Sequence, residues 1–512
     1  MIGARRFLAL ACLIVTSPCA AAPPLAPEVM RQAAEAAAPD ALALFRSYLR
    51  LPNDSHKPEQ IAPLAVWVEQ AFQARGFTTK RLAEPDNPLI LAERQSPGAT
   101  RTALIYLQAD GQPVDPAAWN QDSPFEPVLK RKTAAGWQPI SWDRLNGTYD
   151  PDWRIFARSA SDSKGPNIQF LTALDILQAR GITPDFHLKV VIDTEEELGS
   201  PHLPQAVADH RDALAADFLY IFDGPPHPSG RPTLTFGARG IATVTLTTYG
   251  PKLPQHSGHY GNYAPNPAFH LARILASMKS ADGRVTIPGY YDGITLDEDV
   301  RSVLEAVPDD EPAIRAALGF KTPDAVADSL QAARQFPSLN IRGLKSAWVG
   351  AEVRTVIPAT AVAELDIRLV KESDPQRLIG LVRDHIDGLG YHVLDHAPDA
   401  AERAAHAHLV QMQSRIAYPA YRSPMDSLAG RTARAALTHL NGTEPILIRT
   451  SGGSIPISPF VETLAIPAVS VPTVNQDNNQ HSPNENIRLG NFIDGIATIL
   501  AVLAQPLQEE DS

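Results

Sequence analysis

The stretch Lys189-Val190-Val191-Ile192-Asp193-Thr194-Glu195-Glu196-Glu197-Leu198-Gly199-Ser200 carries the densest chemistry in the chain. It starts as a short β-branched apolar run of the kind that forms a buried strand. It ends in three adjacent carboxylates. Neighbouring anions at the end of such a strand repel one another and lose solvation. A bound divalent cation would offset that cost, with one Glu as ligand and a neighbour left to move protons. An acidic loop or a helix N-terminus in water accounts for the same residues more simply. The surrounding chain has to decide between the two.

Other polar groups recur where apolar strands stop. Ala103-Leu104-Ile105-Tyr106-Leu107 runs into Gln108-Ala109-Asp110, and Phe218-Leu219-Tyr220-Ile221-Phe222 runs into Asp223-Gly224. Ala468-Val469-Ser470-Val471-Pro472 leads to a polar loop carrying His481. Asp162 lies in the loop before a helix expected over 167–180, whose apolar face runs through Ile168, Leu171, Leu174 and Leu177. Further helices are expected over 28–50 and 61–75, and a strand over 89–93. A long loop, rich in Trp, Pro and Asp, is expected over 114–156.

Strands alternating with helices predict an α/β fold: a mixed, mostly parallel sheet flanked by helices. In such sheets ligands bind outside the carboxyl ends of the strands. Asp110, Glu196, Glu197, Asp223 and His481 can therefore converge. From Gly237 the pattern changes to half-exposed alternation, as in 241–247 and 361–369, which reads as an inserted α+β domain. The expected divisions are a leader over 1–22, a catalytic domain over 23–236 and 401–512, and the insertion over 237–400.

Residues 1–22 have the form of an export signal, with Arg5 and Arg6, an apolar run from Phe7 to Val15, and small residues around Cys19-Ala20-Ala21-Ala22. Cys12 and Cys19 are the only cysteines, so the processed chain would have neither disulfide nor thiolate ligand. Its expected location is the periplasm or the medium. Loss of the two arginines takes the formal charge from -12 to about -14, which disfavours nucleic acid and anionic membrane as partners. No later apolar run is long enough to cross a bilayer.

Seven stretches in order resemble the aminoacylase/carnosinase-type metallopeptidases, family twenty of the metallopeptidases: SASDSKGP, EEELGS, FDG followed by FGARG, HSGHYGNYAPNP, TVIPATAVAELDIRLV, SGGSIP and HSPNE. DSPFEPVLK and DPDWRIFARSASD are similar to the dipeptidase branch in particular. The resemblance implies co-catalytic zinc, two ions per chain, with manganese or cobalt as other candidates. It implies that Asp162 bridges the ions, that Glu197 and His481 complete one site, and that Asp223 and the residue at 108 complete the other. Glu196 would be the general base for a metal-activated water. The insertion would be a lid that also dimerises. His256 would reach across the homodimer to the scissile carbonyl, while Thr355, Arg368 and Ser454 would hold the substrate's carboxylate. Arg suits that task because its planar fork binds both oxygens.

The family begins its site with His-x-Asp, and this chain has Gln108-Ala109-Asp110. A neutral amide oxygen is a weaker donor to zinc than imidazole. Asp110, which orients that histidine in the family, is kept. Ser163, where many relatives have a second Asp, and Lys371, where a proline is usual, are expected to touch no proposed ligand. The implied activity is hydrolysis of an amide bond next to a free carboxylate, most simply in dipeptides. Deacylation of N-acyl amino acids is the alternative. Because of Gln108, a carboxylate-binding homologue with impaired catalysis is a third.

Overall fold

The computed structural model describes residues 24–83 and 86–509. The expected leader, with both cysteines, lies outside the described residues. Among the described residues no helix is long and apolar enough to cross a membrane.

The chain opens with α1 (Pro27–Leu49) and α2 (Pro58–Gln73), each with a proline in its first turn, where the missing N–H costs nothing. The strands β1 (Thr78–Arg81), β2 (Ile90–Arg94), β3 (Thr102–Gln108), β4 (His187–Asp193), β5 (Phe218–Ile221) and β6 (Thr233–Thr235) follow, with α3 (Lys164–Ala179) before β4 and α4 (Leu203–Asp209) after it. The insertion holds β7 (Gly240–Tyr249), α5 (Pro267–Met278), β8 (Asn340–Ser346), β9 (Thr360–Leu369), α6 (Pro375–Gly388), β10 (His392–Leu394) and β11 (Leu409–Tyr418). The chain then returns through α7 (Leu428–Asn441), β12 (Ile446–Ile448), α8 (Ser458–Thr463), β13 (Ala468–Ser470) and α9 (Leu489–Ala504).

The catalytic sheet has eight strands in the order β1-β2-β4-β3-β5-β13-β6-β12. Its four central strands, β4-β3-β5-β13, are mutually parallel. β2 joins β4 antiparallel. Both faces are covered, so successive residues alternate between two cores rather than between core and water. Ile105 and Leu107 enter the core built with α1, α2, α3, α7 and α9. Leu104 and Tyr106 enter the one built with α4 and α8. Parallel neighbours end on one edge, so the residues after β3, β4, β5 and β13 meet there.

The lid sheet is five-stranded, β8-β9-β7-β11-β10. β7 and β9 alternate buried and half-buried residues, and α5 and α6 cover one face through Leu271, Ile274, Leu378 and Val382. Both helices begin with an Asx cap and a proline. β11 pairs with β7 from Val410 to Tyr418. The insertion therefore continues past residue 400, and the expected boundary falls one strand short. The alternation in Leu-Val-Gln-Met-Gln is the signal that marks this strand.

Residues 114–156 are not one irregular loop. They contain a hairpin, Val128–Thr133 with Gly136–Pro139, turned at Gly136 (φ 94°), a left-handed position that favours glycine. Arg154–Phe156 pairs with this hairpin and with Asn486–Arg488. That small sheet ties the segment before Asp162 to the segment after His481.

Candidate metal and active site

The three adjacent glutamates have different fates. Glu195 receives His202 through its backbone N–H at 3.0 Å and its Nδ1 at 2.8 Å. It is a structural tie. Glu196 and Glu197 sit on a 3-10 turn, Glu196–Leu198, closed by Gly199 at φ 79°. Their backbone N–H groups donate to Asp110 Oδ1 and Oδ2 at 3.1 and 3.0 Å. Asp110 thus pins the acidic turn; the resemblance gives its counterpart the task of orienting a histidine at 108, where this chain has Gln. Asp193, at the end of β4, accepts from Tyr106 Oη and Ser200 Oγ and holds the other side of this turn.

Asp162, Glu197 and His481 each offer a ligand atom, all within 4.8 Å of one another. His481 Nε2 lies 2.9 Å from Asp162 Oδ2 and 3.4 Å from Glu197 Oε2. The carboxylates are nearly buried and the imidazole is half exposed. Two carboxylates and one imidazole are a donor set that fits a divalent cation such as zinc. His481 has a positive φ of 59°, a strained backbone for a non-glycine residue, of the sort that clusters at functional positions.

Anions dominate this pocket. Burial, then repulsion from Asp162, Glu197, Asp110 and Asp223, pushes Glu196 well above the usual carboxylate range. Burial and Asp162 push both Glu197 and Asp223 up to about 7. The hydrogen bond to Asp162 pulls His481 up to about 9. This is the electrostatic imbalance that a divalent cation neutralises.

The expected second position is different. Ser163 Oγ lies 2.7 Å from Gln108 Oε1, 2.7 Å from Asp223 Oδ1 and 3.1 Å from Asp162 Oδ1. The serine expected to touch no ligand is in contact with three. A hydroxyl carries one proton and can donate to only one of those oxygens. Gln108 Oε1 and Asp223 Oδ1 are thus engaged with a hydroxyl where the family expectation puts a cation. The donors left for a second ion are an amide oxygen, a hydroxyl and shared carboxylates, a poorer set for zinc than carboxylate with imidazole.

Across the cleft, Arg368 on β9 donates from Nη1 to Ser454 Oγ at 2.8 Å. Tyr418, at the end of β11, hydrogen-bonds Ser454 and lies close enough to Glu196 for that carboxylate to raise its pKa. The structure thus assembles Asp162, Glu197 and His481, joins Gln108 to Asp223 through Ser163, and sets Arg368 with Ser454. It leaves His256 exposed on a two-stranded ribbon of the lid and Thr355 exposed just before that ribbon's second strand, where Ser257 N donates to Thr355 O at 3.1 Å. No contact joins them to the carboxylate cluster among the described residues.

Sequence reasoning overlooked Glu485, Gln112 and Tyr418. Glu485, the last residue of HSPNE, is buried, and it accepts from the backbone N–H groups of Ser159, Ser161 and Asp162. It also pairs with buried Arg158 at 2.7 Å. It is the brace that holds the Asp162 loop against the His481 loop. Its place in a motif already singled out was a usable signal. Gln112 donates to Glu197 Oε2 at 2.7 Å, and nothing in its surroundings in sequence announces that.

The description Peptidase family M20/M25/M40 matches residues 128–505. The chain belongs to that family. This M20 peptidase is 27% identical over 421 residues to the Cys-Gly metallodipeptidase dug1 of Schizosaccharomyces pombe, covering 80% of this chain and 81% of that one. It is 25% identical over 433 residues to the Beta-Ala-His dipeptidase of Homo sapiens, covering 83% and 78%. Among solved structures it resembles the M20 family metallo-carboxypeptidase Sso-CP2 from Sulfolobus solfataricus, with a TM-score of 0.75 and 26% identity over 91% of this chain and 99% of that one. The fold expected from the strand-helix alternation is the fold of the family, and the M20 peptidase is a metal-dependent hydrolase.

Proposed function

We propose that this M20 peptidase is an exopeptidase that cuts the amide bond next to a free carboxylate, with dipeptides as its substrate class. The observation that carries this reading is the Arg368–Ser454 pair, set beside Glu196 through Tyr418. A guanidinium fork and a hydroxyl converge there, as a carboxylate needs. The dipeptidase names of the two sequence relatives support the same class.

An ion held by Asp162, Glu197 and His481 would polarise the scissile carbonyl and lower the pKa of a water. Glu196 takes the proton from the water and passes it to the leaving amine. Asp110 fixes the turn that carries Glu196. His256, from a partner subunit, donates to the carbonyl oxygen as charge grows on it, and Thr355 assists at the carboxylate.

Zinc is the proposed metal, with manganese and cobalt as alternatives. One tight ion is proposed, because Ser163 engages the ligands of the second position. The reading as a binding homologue draws on that same contact. Export rests on the pattern of residues 1–22. Homodimerisation through the lid is supported by the exposed apolar residues Leu344, Val349, Val353 and Leu253.

The test is elemental analysis of the purified protein, with dipeptide hydrolysis assayed as zinc, manganese or cobalt is added back. One tight ion with turnover supports the reading, and two tight ions refute the weak second position. No tight ion and no turnover under any metal would leave only a binding role.

A further inference from the structure

A cleft of about 520 Å³ opens beside Asp223 and Ser454. Its wall includes Asp223, Ser454, Gly452 and Arg334, and it touches neither Glu196 nor Tyr418. Ser454, proposed to hold the leaving group's carboxylate, is the edge that this cleft shares with the Glu196–Tyr418 side. From Ser454 the cleft runs past Gly452 and Asp223 to Pro225 and Gln480 without reaching Glu196 or Tyr418, so the acyl group is the part of the substrate left to fill it.

Arg334 is half-buried on this wall and also lines a smaller neighbouring cleft of about 270 Å³. Its guanidinium rests on Gly452: Nε is 3.2 Å from where a Cβ at 452 would stand. A side chain at 452 would crowd the guanidinium here. Burial lowers the pKa of Arg334, and among the described residues its side chain makes no hydrogen bond or ion pair. The anion whose field reaches it is Asp309, whose two oxygens already accept from His227 Nε2 at 3.0 Å and Gln331 Nε2 at 2.8 Å.

A second cation stands close by. Arg239 donates one hydrogen bond, to Phe336 O at 2.9 Å, and its buried Nε has no partner. Burial, together with repulsion from Arg368 and Arg334, lowers it to about 10. Arg239 thus feels two other arginines, it shares the smaller cleft with Arg334, and of the three only Arg368 forms an ion pair among the described residues, with Asp366 at 3.8 Å. Burying like charges without counterions is costly. The substrate's carboxylate at Arg368 supplies one anion, and Arg334 calls for another.

We infer that this cleft is the acyl subsite and that Arg334 makes it selective for an acyl group bearing a carboxylate. An N-terminal aspartyl or glutamyl residue and a dicarboxylic N-acyl group share that chemistry. The inference rests on the exopeptidase reading for the direction of the substrate. Arg334 is a specificity-determining residue and takes no part in bond cleavage.

The test compares kcat/KM of the metal-loaded protein on Glu-Ala, N-succinyl-alanine and Ala-Ala, for the wild type and for Arg334→Met, Arg334→Lys and Arg334→Glu. The expected result is an acidic-over-neutral preference of about tenfold to a hundredfold, the worth of one hydrogen bond to a charged group. That ratio should collapse toward one in Arg334→Met, chiefly through KM, and recover in part in Arg334→Lys. Arg334→Glu should favour Lys-Ala instead. The Glu-Ala and N-succinyl arms separate the two sources of the acidic acyl group. No acidic preference, or a ratio that Arg334→Met leaves unchanged, overturns the inference. Succinate binding is titrated on the same proteins by calorimetry. If none of the peptides is cleaved, succinate binding that needs Arg334 keeps the subsite and refutes the exopeptidase reading, whereas binding equal in both proteins refutes the subsite.

Discussion

Arg368 on the lid and Ser454 on the catalytic domain are joined at 2.8 Å across the cleft. That bond uses the groups proposed to receive the substrate's carboxylate. Arg368→Ala should raise KM for free-carboxylate dipeptides by about tenfold to a hundredfold and leave poor, amidated substrates nearly unaffected. Steady-state kinetics on a dipeptide and its amide check this. Equal losses on both would refute the role.

The proposed mechanism gives Glu196 the proton transfer and leaves the ion to Asp162, Glu197 and His481. Glu196→Gln should lower kcat by about 10²–10⁴-fold while the metal content stays at the wild-type value. Elemental analysis beside the assay separates a lost proton shuttle from a lost ion.

Gln108 and Ser163 lie 2.7 Å apart at the second metal position. Replacing them together, Gln108→His with Ser163→Asp, should add a second tight ion per chain. Gln108→His alone should add a weaker one, since Ser163 still engages Asp223. Zinc titration by competition with a chromophoric chelator reads both. Unchanged stoichiometry in the double variant would show that something else closes the position.

The metal-free protein should lose stability as pH rises. Asp223 and Glu197 stand near 7 in the folded chain, above their ordinary unfolded values near 4. A raised carboxylate means that the folded state binds more protons than the unfolded state between about pH 4 and 7, so stability falls across that window. His481, raised to about 9, gives stability that is complete below about 6.5 and lost as pH climbs toward 9. Zinc should act oppositely, because it needs deprotonated ligands. Thermal melts at pH 5 and pH 8, with and without zinc, should show the larger zinc-induced rise at pH 8.

Arg158 and Glu485 form a buried pair under the Asp162 loop. Arg158→Ala leaves Glu485 uncompensated and should cost about 3–5 kcal/mol of stability, measured by urea denaturation. Glu485→Gln should also cost stability, because it leaves Arg158 without its counterion and both Glu485 oxygens accept from buried N–H groups that an amide NH2 cannot serve; zinc affinity should fall with it, as the Asp162 loop loses its charged acceptor.

Much of this was legible in one dimension. The helices expected over 28–50 and 167–180, which form over 27–49 and 164–179, the central strands, and the change to alternation in the lid follow from local periodicity, a property of neighbouring residues. The convergence of Asp110, Glu196, Glu197, Asp223 and His481 was foreseeable too, because parallel strands end on one edge. Short strands with few apolar residues escaped: Val128–Thr133 and Gly136–Pro139 gain their stability from each other and from Arg154–Phe156, not from pattern.

The types and order of the candidate ligands, the layered α/β class and the existence of a lid were determined by the sequence itself, because strand ends and hydrophobic period are local. Which carboxylates face a metal was decided only by packing. Glu195, Glu196 and Glu197 are equivalent in sequence, yet one is tied to His202, one stands over the pocket and one meets His481. The 3-10 turn pinned by Asp110 sets those directions. Likewise, Ser163 looked remote from the ligands and touches three, and Arg334 meets Gly452 over a gap of more than a hundred residues. Such contacts depend on how the chain folds back through space, and no local spacing encodes them.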